Sequence, residues 1–439
     1  MEEKINIRKV ALTVLDRIEA AGQYSNIALD SAIARSGASG ADKALLTTLV
    51  YGVIERKITL DHIINSMSSL PPSKIEATSR NVLRMGLYQL AYLDRIPDHA
   101  AINESVSLVN KRSKGFVNAL LRNFIRDDKK ISLPPEDDRV KYLSVKYSVS
   151  EGICERFCRD FGSERAEEII SAMNEQPSIT LRVNTLKISR EILLEKLTSV
   201  GISAEKTKYS DVGIRLAAKT AYSDIPGGDE GLWFVQDEAS QICASVLGAE
   251  KGENVIDSCA CPGGKSFSIA MCMENEGFLK SFDLHENKLS LIRSGADRLG
   301  IDIIETAEKD GRIFDEALDG SADRILVDAP CSGLGVIAKK PDIRYKDMRD
   351  IDRLPEIQLS IAENCLRYLK NGGIMVYSTC TVLPAENEEN AEKLLKNHPE
   401  IELVPFEIGT LKAENGMLTL YPDKSKTDGF FIAKFRKIK

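Results

Sequence analysis

Two cysteines stand in loops where a catalytic sheet would present them. Cys331 lies in Asp-Ala-Pro-Cys-Ser-Gly, residues 328–333, and Cys380 lies in Tyr-Ser-Thr-Cys-Thr, residues 377–381. Each follows a short apolar run, Ile325-Leu326-Val327 and Ile374-Met375-Val376. Runs of this kind, bounded by turn residues, read as buried parallel strands. Open α/β sheets bind ligands just beyond the carboxyl ends of such strands. A third segment repeats the form: Val255-Ile256-Asp257 precedes Ser-Cys-Ala-Cys-Pro-Gly-Gly-Lys-Ser, which ends at Ser266. Together the three segments predict a cofactor loop and a two-thiol reaction centre on one edge of a sheet.

The reactive form of cysteine is the thiolate, and a free thiol has a pKa near ~8.5. A cationic neighbour favours ionisation, and Lys265 in the cofactor loop is the candidate. Covalent addition by a thiolate divides one hard step into easier ones. The bland alternative for each cysteine is a small buried residue. In the loop 259–265, Cys259, Ala260, Cys261 and Pro262 lead into Gly263 and Gly264, which let the backbone turn tightly and approach a ligand. Asp283 follows the next predicted strand, about 20 residues on, where a Rossmann-like site places the acid that reads a ribose. Asp310, in Glu-Lys-Asp-Gly-Arg, follows the third strand.

Gly264-Lys265-Ser266 also ends like a phosphate-binding loop, with Ile325-Leu326-Val327-Asp328 posing as a magnesium-binding strand. The first glycine of that motif falls at position 259, where Cys259 stands instead. A side chain there obstructs the backbone nest that cradles phosphates. An NTPase is therefore disfavoured.

Asp257 to Ser266 resembles the cofactor loop of the RNA cytosine-5 methyltransferases, whose usual form is Asp-x-Cys-Ala-Ala-Pro-Gly-Gly-Lys-Thr. Asp328–Gly333 and Ser378–Cys380 resemble that family's two cysteine motifs. The departures are Cys261 for alanine and Ser266 for threonine. The resemblance extends over nearly the whole chain and is nearest to the RsmB (Sun/Fmu) ribosomal RNA branch of the family. It implies S-adenosylmethionine as cofactor, Asp283 on its ribose and Asp310 near its adenine. It implies Cys380 as nucleophile and Cys331 in product release. DNA cytosine methyltransferases use the Pro-Cys cysteine instead, here Cys331, so the residues alone leave the order of roles open. Asp328 is the natural partner for the base edge, since cytosine offers a donor at its exocyclic amine. A protonated carboxyl there could also assist at ring nitrogen 3. Small-subunit ribosomal RNA is the implied substrate. A transfer RNA methyltransferase and a non-catalytic RNA-binding or assembly factor are the alternatives; the intact thiol pair speaks against the latter.

Other elements must position these groups. A chain of 439 residues holds two or three domains. Residues 1–130 read as all-helical. Val10, Val14, Leu15 and Ile18 share one helical face, as do Leu46, Leu49, Val50, Val53 and Ile54. Ser73, after Pro71-Pro72, is a candidate cap for a helix carrying Val82, Met85 and Leu90. Arg95–Asn110 and Gly115–Arg122 resemble NusB, an RNA-binding helical bundle. Charge runs and paired prolines over 127–138 mark a linker. Residues 139–235 read as a small middle domain: helices to about 175, then mixed α/β. Residues 236–439 alternate strands (254–258, 279–283, 301–305, 324–328, 374–378) with helices (265–274, 286–299, 355–370, 385–397). That rhythm implies a Rossmann-like, doubly wound and mostly parallel sheet. Phe430–Phe435 alternates and could add an antiparallel strand.

The net charge of −7 argues weakly against nucleic acid, but such partners need only a local basic face. Residues 101–130 carry seven basic residues, Lys111, Arg112, Lys114, Arg122, Arg126, Lys129 and Lys130, against three acids, a balance of +4. A second cluster is Lys339, Lys340, Arg344, Lys346 and Arg349. The remaining cysteines form no metal motif: Cys154 and Cys158 lack a nearby histidine, and Cys243, Cys272 and Cys365 sit in helical patterns that suit a core. No apolar stretch of about 18 residues predicts a membrane span. An odd cysteine count and no signal-peptide pattern point to a reducing cytoplasm; a monomer is expected.

Overall fold

The computed structural model describes residues 5–217, 220 and 222–438. The chain forms two compact units. The first runs to Ile170 and also takes in Lys340–Lys346; the second comprises Ser171–Lys339 and Asp347–Lys439.

The first unit is helical: α1 (Ile7–Ala21), α2 (Ser25–Ser36), α3 (Gly40–Glu55), α4 (Lys57–Met67), α5 (Ala77–Tyr92), α6 (Asp98–Ser107), α7 (Lys114–Arg126), α8 (Arg139–Tyr147), α9 (Glu151–Phe161) and α10 (Ser163–Ala172). The predicted stripe on α3 is buried throughout. On α1, Val14 and Leu15 are buried, while Val10 and Ile18 pack partly buried on the same core. Ser73 does not cap α5. Pro72–Lys74 forms a short 3-10 turn, Ile75 turns into the core, and Glu76 occupies the cap position.

Arg84 on α5 is 4% exposed. It grips Asp61 through Nε at 2.8 Å and Nη2 at 2.7 Å, and donates through Nη1 to Glu19 at 3.0 Å and Asn81 at 2.7 Å. Such two-pronged geometry suits guanidinium and carboxylate alike. Burial alone would lower the guanidinium's pKa, but its acidic partners outweigh that and raise it.

The insertion 340–346 corrects the reading of the second basic cluster. Arg344 is buried, donating to the Tyr147 carbonyl at 3.1 Å, while its own carbonyl accepts from Ser150 at 2.9 Å. Tyr345 bonds the Ile54 carbonyl and lies 3.3 Å from the Ser148 hydroxyl. Ser25 donates to Asp342 at 2.5 Å. Lys339 is held by Asp237 at 2.5 Å and Asp428 at 2.9 Å, and Arg349 by Asp347 at 2.5 Å. Arg344 and Lys339 are thus committed to contacts within the fold.

The second unit opens with β1 (Thr180–Val183), α11 (Arg190–Ser199), β2 (Ala204–Lys206), β3 (Gly213–Leu216) and β4 (Trp233–Val235). The strands form an antiparallel sheet in the order β2-β3-β1-β4. The larger layer follows: α12 (Glu238–Leu247), β5 (Asn254–Asp257), α13 (Gly264–Cys272), β6 (Phe278–Asp283), α14 (Glu286–Leu299), β7 (Ile304–Glu308), β8 (Ala322–Asp328), α15 (Met348–Ile351), α16 (Leu354–Tyr368), β9 (Leu369–Thr379), α17 (Glu388–Asn397), β10 (Ile401–Leu403), β11 (Phe406–Ile408), β12 (Leu411–Ala413), β13 (Met417–Leu420), α18 (Pro422–Ser425) and β14 (Phe430–Lys437). Its sheet runs β10-β14-β9-β8-β5-β6-β7, with β13 also on β14. The pairings from β9 to β7 are parallel, and β14 is antiparallel to β9. This is the doubly wound, mostly parallel sheet that the alternation implied.

Register brings the carboxyl ends level. Asp257 stands beside Ser281, and Asp328 beside Ser378. One strand starts later than the expected 301. Ile301 belongs to the exit of α14, where its amide bonds Ala296 at 2.9 Å beyond the left-handed Gly300, and its side chain is buried. That is a helix-ending motif with its apolar contact. Helix α17 likewise starts at 388, because Pro384–Glu386 turns as a 3-10 segment.

Replacing Arg84 by alanine takes the guanidinium from Glu19 and leaves Asp61 with Arg80 alone, 3.6 Å away. Both acids are partly exposed, so the expected loss is about 3 kcal/mol, the lower end for a broken buried pair. Urea unfolding of the variant measures it.

Candidate functional site

The loop after β5 is drawn tight by its own backbone. Ala260 donates to the Phe282 carbonyl at 2.7 Å, and Gly263 to Ala260 at 2.7 Å. The Cys261–Pro262 bond is cis. Gly263 has φ +107, and a Cβ there would lie 2.5 Å from the Phe267 ring. Only glycine fits that turn. By contrast, a Cβ on Gly264 would meet nothing nearer than Gln236 Nε2 at 3.6 Å, so the loop's crest is open.

Below the loop lies a buried polar stack. Ser266 donates to Asp257 at 2.7 Å and accepts from Ser281 at 2.9 Å. Asp257 is 1% exposed, and burial pushes its carboxyl up to about 7 against the hydrogen bond from Ser266. The serine at 266 keeps the hydroxyl that this bridge requires. Cys261 hydrogen-bonds Asp283; burial first, then the Asp283 charge, pushes that thiol up to about 12. Asp283 ends β6 and accepts from the His285 amide at 3.1 Å. It thus stands beside the loop, as expected. Asp310 follows β7 with its carboxylate gripped by Arg312 at 2.9 and 2.6 Å, which holds it below the usual carboxylate range. Cys259 is half-buried, and burial raises its thiol well above the ordinary value.

The two motif cysteines meet. Cys331 Sγ and Cys380 Sγ are 2.9 Å apart, and the Cys380 amide points at Cys331 Sγ at 3.3 Å. Both are half-buried, and neither is in a disulfide. The hydrogen bond to Cys380, then burial and the nearby acids, holds the Cys331 thiol well above its ordinary value.

Lys265 is not free to face the thiols alone. Its ammonium donates to Asp328 at 2.6 Å and lies over the Phe430 ring at 5.1 Å. Burial alone would lower its pKa; Asp328 outweighs that, with the Cys243 and Cys380 sulfurs adding to the rise. Asp328 also accepts from Ser378 at 2.9 Å. Each carboxyl oxygen of Asp328 thus receives one hydrogen bond. Of the three cysteines expected in the core, Cys243 and Cys365 are buried and Cys272 is only half-buried; Cys154 is also buried and Cys158 half-buried.

Sequence reasoning missed Ser378, Ser281, Gln358 and Glu386. Ser378 and Ser281 are revealed by register alone, which a single sequence does not carry. Glu386 is 1% exposed and accepts from the Ser332 amide at 2.9 Å and Gln358 at 2.8 Å. A signal existed in Pro384-Ala-Glu-Asn-Glu after the second cysteine motif, but charge there reads as ordinary surface.

Comparisons with known proteins match the chain in three stretches. A family model described as 16S rRNA methyltransferase RsmB/F matches residues 244–436. The NusB family matches 5–126, and a Methyltr_RsmF/B-like ferredoxin-like domain matches 151–223. The chain is 38% identical over 448 residues to the probable ribosomal RNA small subunit methyltransferase B of Bacillus subtilis, covering 99% of each. The crystal structure of PH0851 superposes with TM-score 0.81 at 25% identity, covering all of both chains. A methyltransferase homolog protein from Pyrococcus horikoshii gives TM-score 0.61 at 32% identity, covering 68% of this chain and 99% of that one.

The raised carboxyl of Asp257 has a stability signature. An acid whose folded pKa exceeds its unfolded value favours the fold while protonated, and that advantage is lost as pH rises through the folded pKa. The stability of the protein relative to Asp257→Asn should fall from pH 3.8 to about 7 and flatten above it. Urea unfolding of both across that range checks this; a difference that rises with pH contradicts it.

Proposed function

We propose, because this chain belongs to the 16S rRNA methyltransferase RsmB/F family, that it transfers a methyl group from S-adenosylmethionine to carbon 5 of a cytosine in small-subunit ribosomal RNA. The observation that carries the cytosine-5 reading is the thiol pair, with Cys331 and Cys380 2.9 Å apart on the strand ends that also carry Asp328. One thiol adds to the pyrimidine ring, and a second at this distance can assist its release.

The residues at the first loop fit the cofactor. The open crest at Gly264 admits close approach, and the Asp283 carboxylate at the end of β6 suits a pair of ribose hydroxyls. Cys259, Ala260, Cys261, Pro262, Gly263 and Gly264 would line it, with Asp310 toward the adenine. The cofactor, when bound, supplies a methyl on a cationic sulfur.

The chain's residues supply the activation. Carbon 5 of cytosine is a poor nucleophile. Addition of the Cys380 thiolate to carbon 6 breaks the ring's conjugation and makes carbon 5 enamine-like. The Cys331 S–H, retained as a thiol, donates to Cys380 and supports its ionised form. Lys265 adds positive charge from one side and fixes Asp328. Asp328 accepts from the exocyclic amine and orients the ring. After transfer, Cys331, its own proton by then given up to solvent, takes the carbon 5 proton as the bond from carbon 6 to sulfur breaks and Cys380 leaves as a thiolate; we assign Cys331 to that release step. The segments 1–130, 139–235 and 236–439 divide the work as RNA-binding bundle, small middle domain and catalytic domain. Free cysteines suit a reducing cytoplasm, and among the described residues no helix is long and apolar enough to cross a membrane.

The two thiols should fail differently. Cys380→Ala should abolish transfer with cofactor binding near normal. Cys331→Ala should methylate once and then accumulate a protein–RNA adduct that survives denaturing electrophoresis and needs Cys380. The opposite pattern, with Cys380→Ala trapping RNA, reverses the roles.

RNA affinity should draw on the exposed cations that precede and open α7. Reversing Lys111, Arg112 and Lys114 to glutamate should weaken RNA binding. It should also reduce the salt slope by roughly 0.7–0.9 for each phosphate that is no longer neutralised, leaving cofactor binding unchanged. Binding isotherms at several salt concentrations measure both; an unchanged slope assigns the bundle another purpose.

A further inference from the structure

The two thiols stand on different loops, and no covalent link sets their separation. The residues on either side of each cysteine are instead tied to one buried group of side chains. Ser332, which follows Cys331, donates its amide to Glu386 Oε2 at 2.9 Å and its hydroxyl to Thr381 at 2.8 Å. Thr381 is the residue after Cys380. Gln358 on α16 donates to the same Glu386 oxygen at 2.8 Å and to the carbonyl of Pro330, which precedes Cys331, at 3.0 Å. The Tyr377 hydroxyl donates to the Glu386 carbonyl at 2.6 Å. Asn387 accepts from Thr379, which precedes Cys380, at 2.5 Å and donates to the Thr381 carbonyl at 3.1 Å. Ser332, Gln358, Thr381, Glu386 and Asn387 are all buried.

We propose that Glu386 is a positioning residue: by accepting from Ser332 and Gln358 it holds the Cys331 loop against the Cys380 loop and so sets the spacing of the two thiols. The inference rests on the reading of that pair as the reaction centre. A buried carboxylate is costly unless it is hydrogen-bonded, and here the bonds it receives come from the backbone of one cysteine loop and from the side chain that also holds that loop's proline. Its negative charge acts beside the Cys380 hydrogen bond and burial, all of which raise the Cys331 thiol. Glu386 touches neither substrate nor sulfur in this scheme. It acts through the loop.

Phenylarsine oxide, which captures two thiols at once, reads the spacing without any turnover. The full chain and its Glu386→Ala and Glu386→Gln variants are treated with it, and capture at Cys331 and Cys380 is quantified by mass spectrometry beside steady-state methyl transfer. The expected result is capture in the parent and in Glu386→Gln, whose amide oxygen still accepts, and loss of capture in Glu386→Ala. Glu386→Ala should also lose kcat by roughly 100-fold, the scale of an ångström's misplacement, with KM for RNA unchanged, and Glu386→Gln should stay within several-fold of the parent. Full capture in Glu386→Ala, or a Glu386→Gln variant as defective as the alanine, overturns the proposal. Should Glu386→Ala fail to fold, Ser332→Ala and Thr381→Val each remove the direct link between the loops with one hydroxyl. Reduced capture in both is then expected, and full capture overturns the proposal. If the parent captures the arsenical but transfers no methyl, the reaction assigned to the pair fails while the positioning stands.

Discussion

The parallel pairing of β8 with β9 is the constraint on which the site depends. It sets Asp328 level with Ser378, so the loops that leave the two strands start side by side. The thiols then meet three residues beyond Asp328 and two beyond Ser378. A one-residue slip would turn alternate side chains to the wrong face, separating Asp328 from Ser378. The apolar residues of both strands are buried on each face, and that burial is what fixes the register.

Charge at the site is arranged in layers around this seam. The Lys265–Asp328 pair, at 2.6 Å, joins the cofactor loop to the first cysteine strand, so two motifs distant in sequence share one ion pair. Beneath it, Ser266 and Ser281 satisfy Asp257, whose carboxyl burial pushes toward neutrality. Beside it, the hydrogen bond to Cys380 and burial hold the Cys331 thiol well above its ordinary value. A site that must favour one thiolate among several buried thiols needs this asymmetry, because burial by itself opposes ionisation of every cysteine.

Much of this was legible in the residues. Apolar runs ending in turn residues marked β5, β8 and β9, and glycine at 263 marked a turn that no side chain could make. The helical stripe of α3 and the antiparallel final strand followed from periodicity alone. What escaped was set by tertiary structure. Ser73 looked like a cap, but the burial of Ile75 moved the helix start. Arg344 looked like part of a basic face, but Lys340–Lys346 packs within the first unit, where a buried guanidinium bonds a carbonyl. Lys265 looked like a partner for the thiols, but the nearer Asp328 takes its hydrogen bond. In each case local type was read correctly, and a neighbour distant in sequence decided its use.

The central claim is that this thiol pair serves methylation of cytosine at carbon 5 in small-subunit ribosomal RNA. The most direct measurement maps 5-methylcytosine across ribosomal and transfer RNA from cells with and without this chain, the latter also carrying a Cys380→Ala copy. The account predicts that a cytosine in small-subunit RNA loses its carbon 5 methyl without the chain, that the parent restores it and that the Cys380→Ala copy does not. Unchanged small-subunit RNA with loss in transfer RNA, or full restoration by the Cys380→Ala copy, would contradict it.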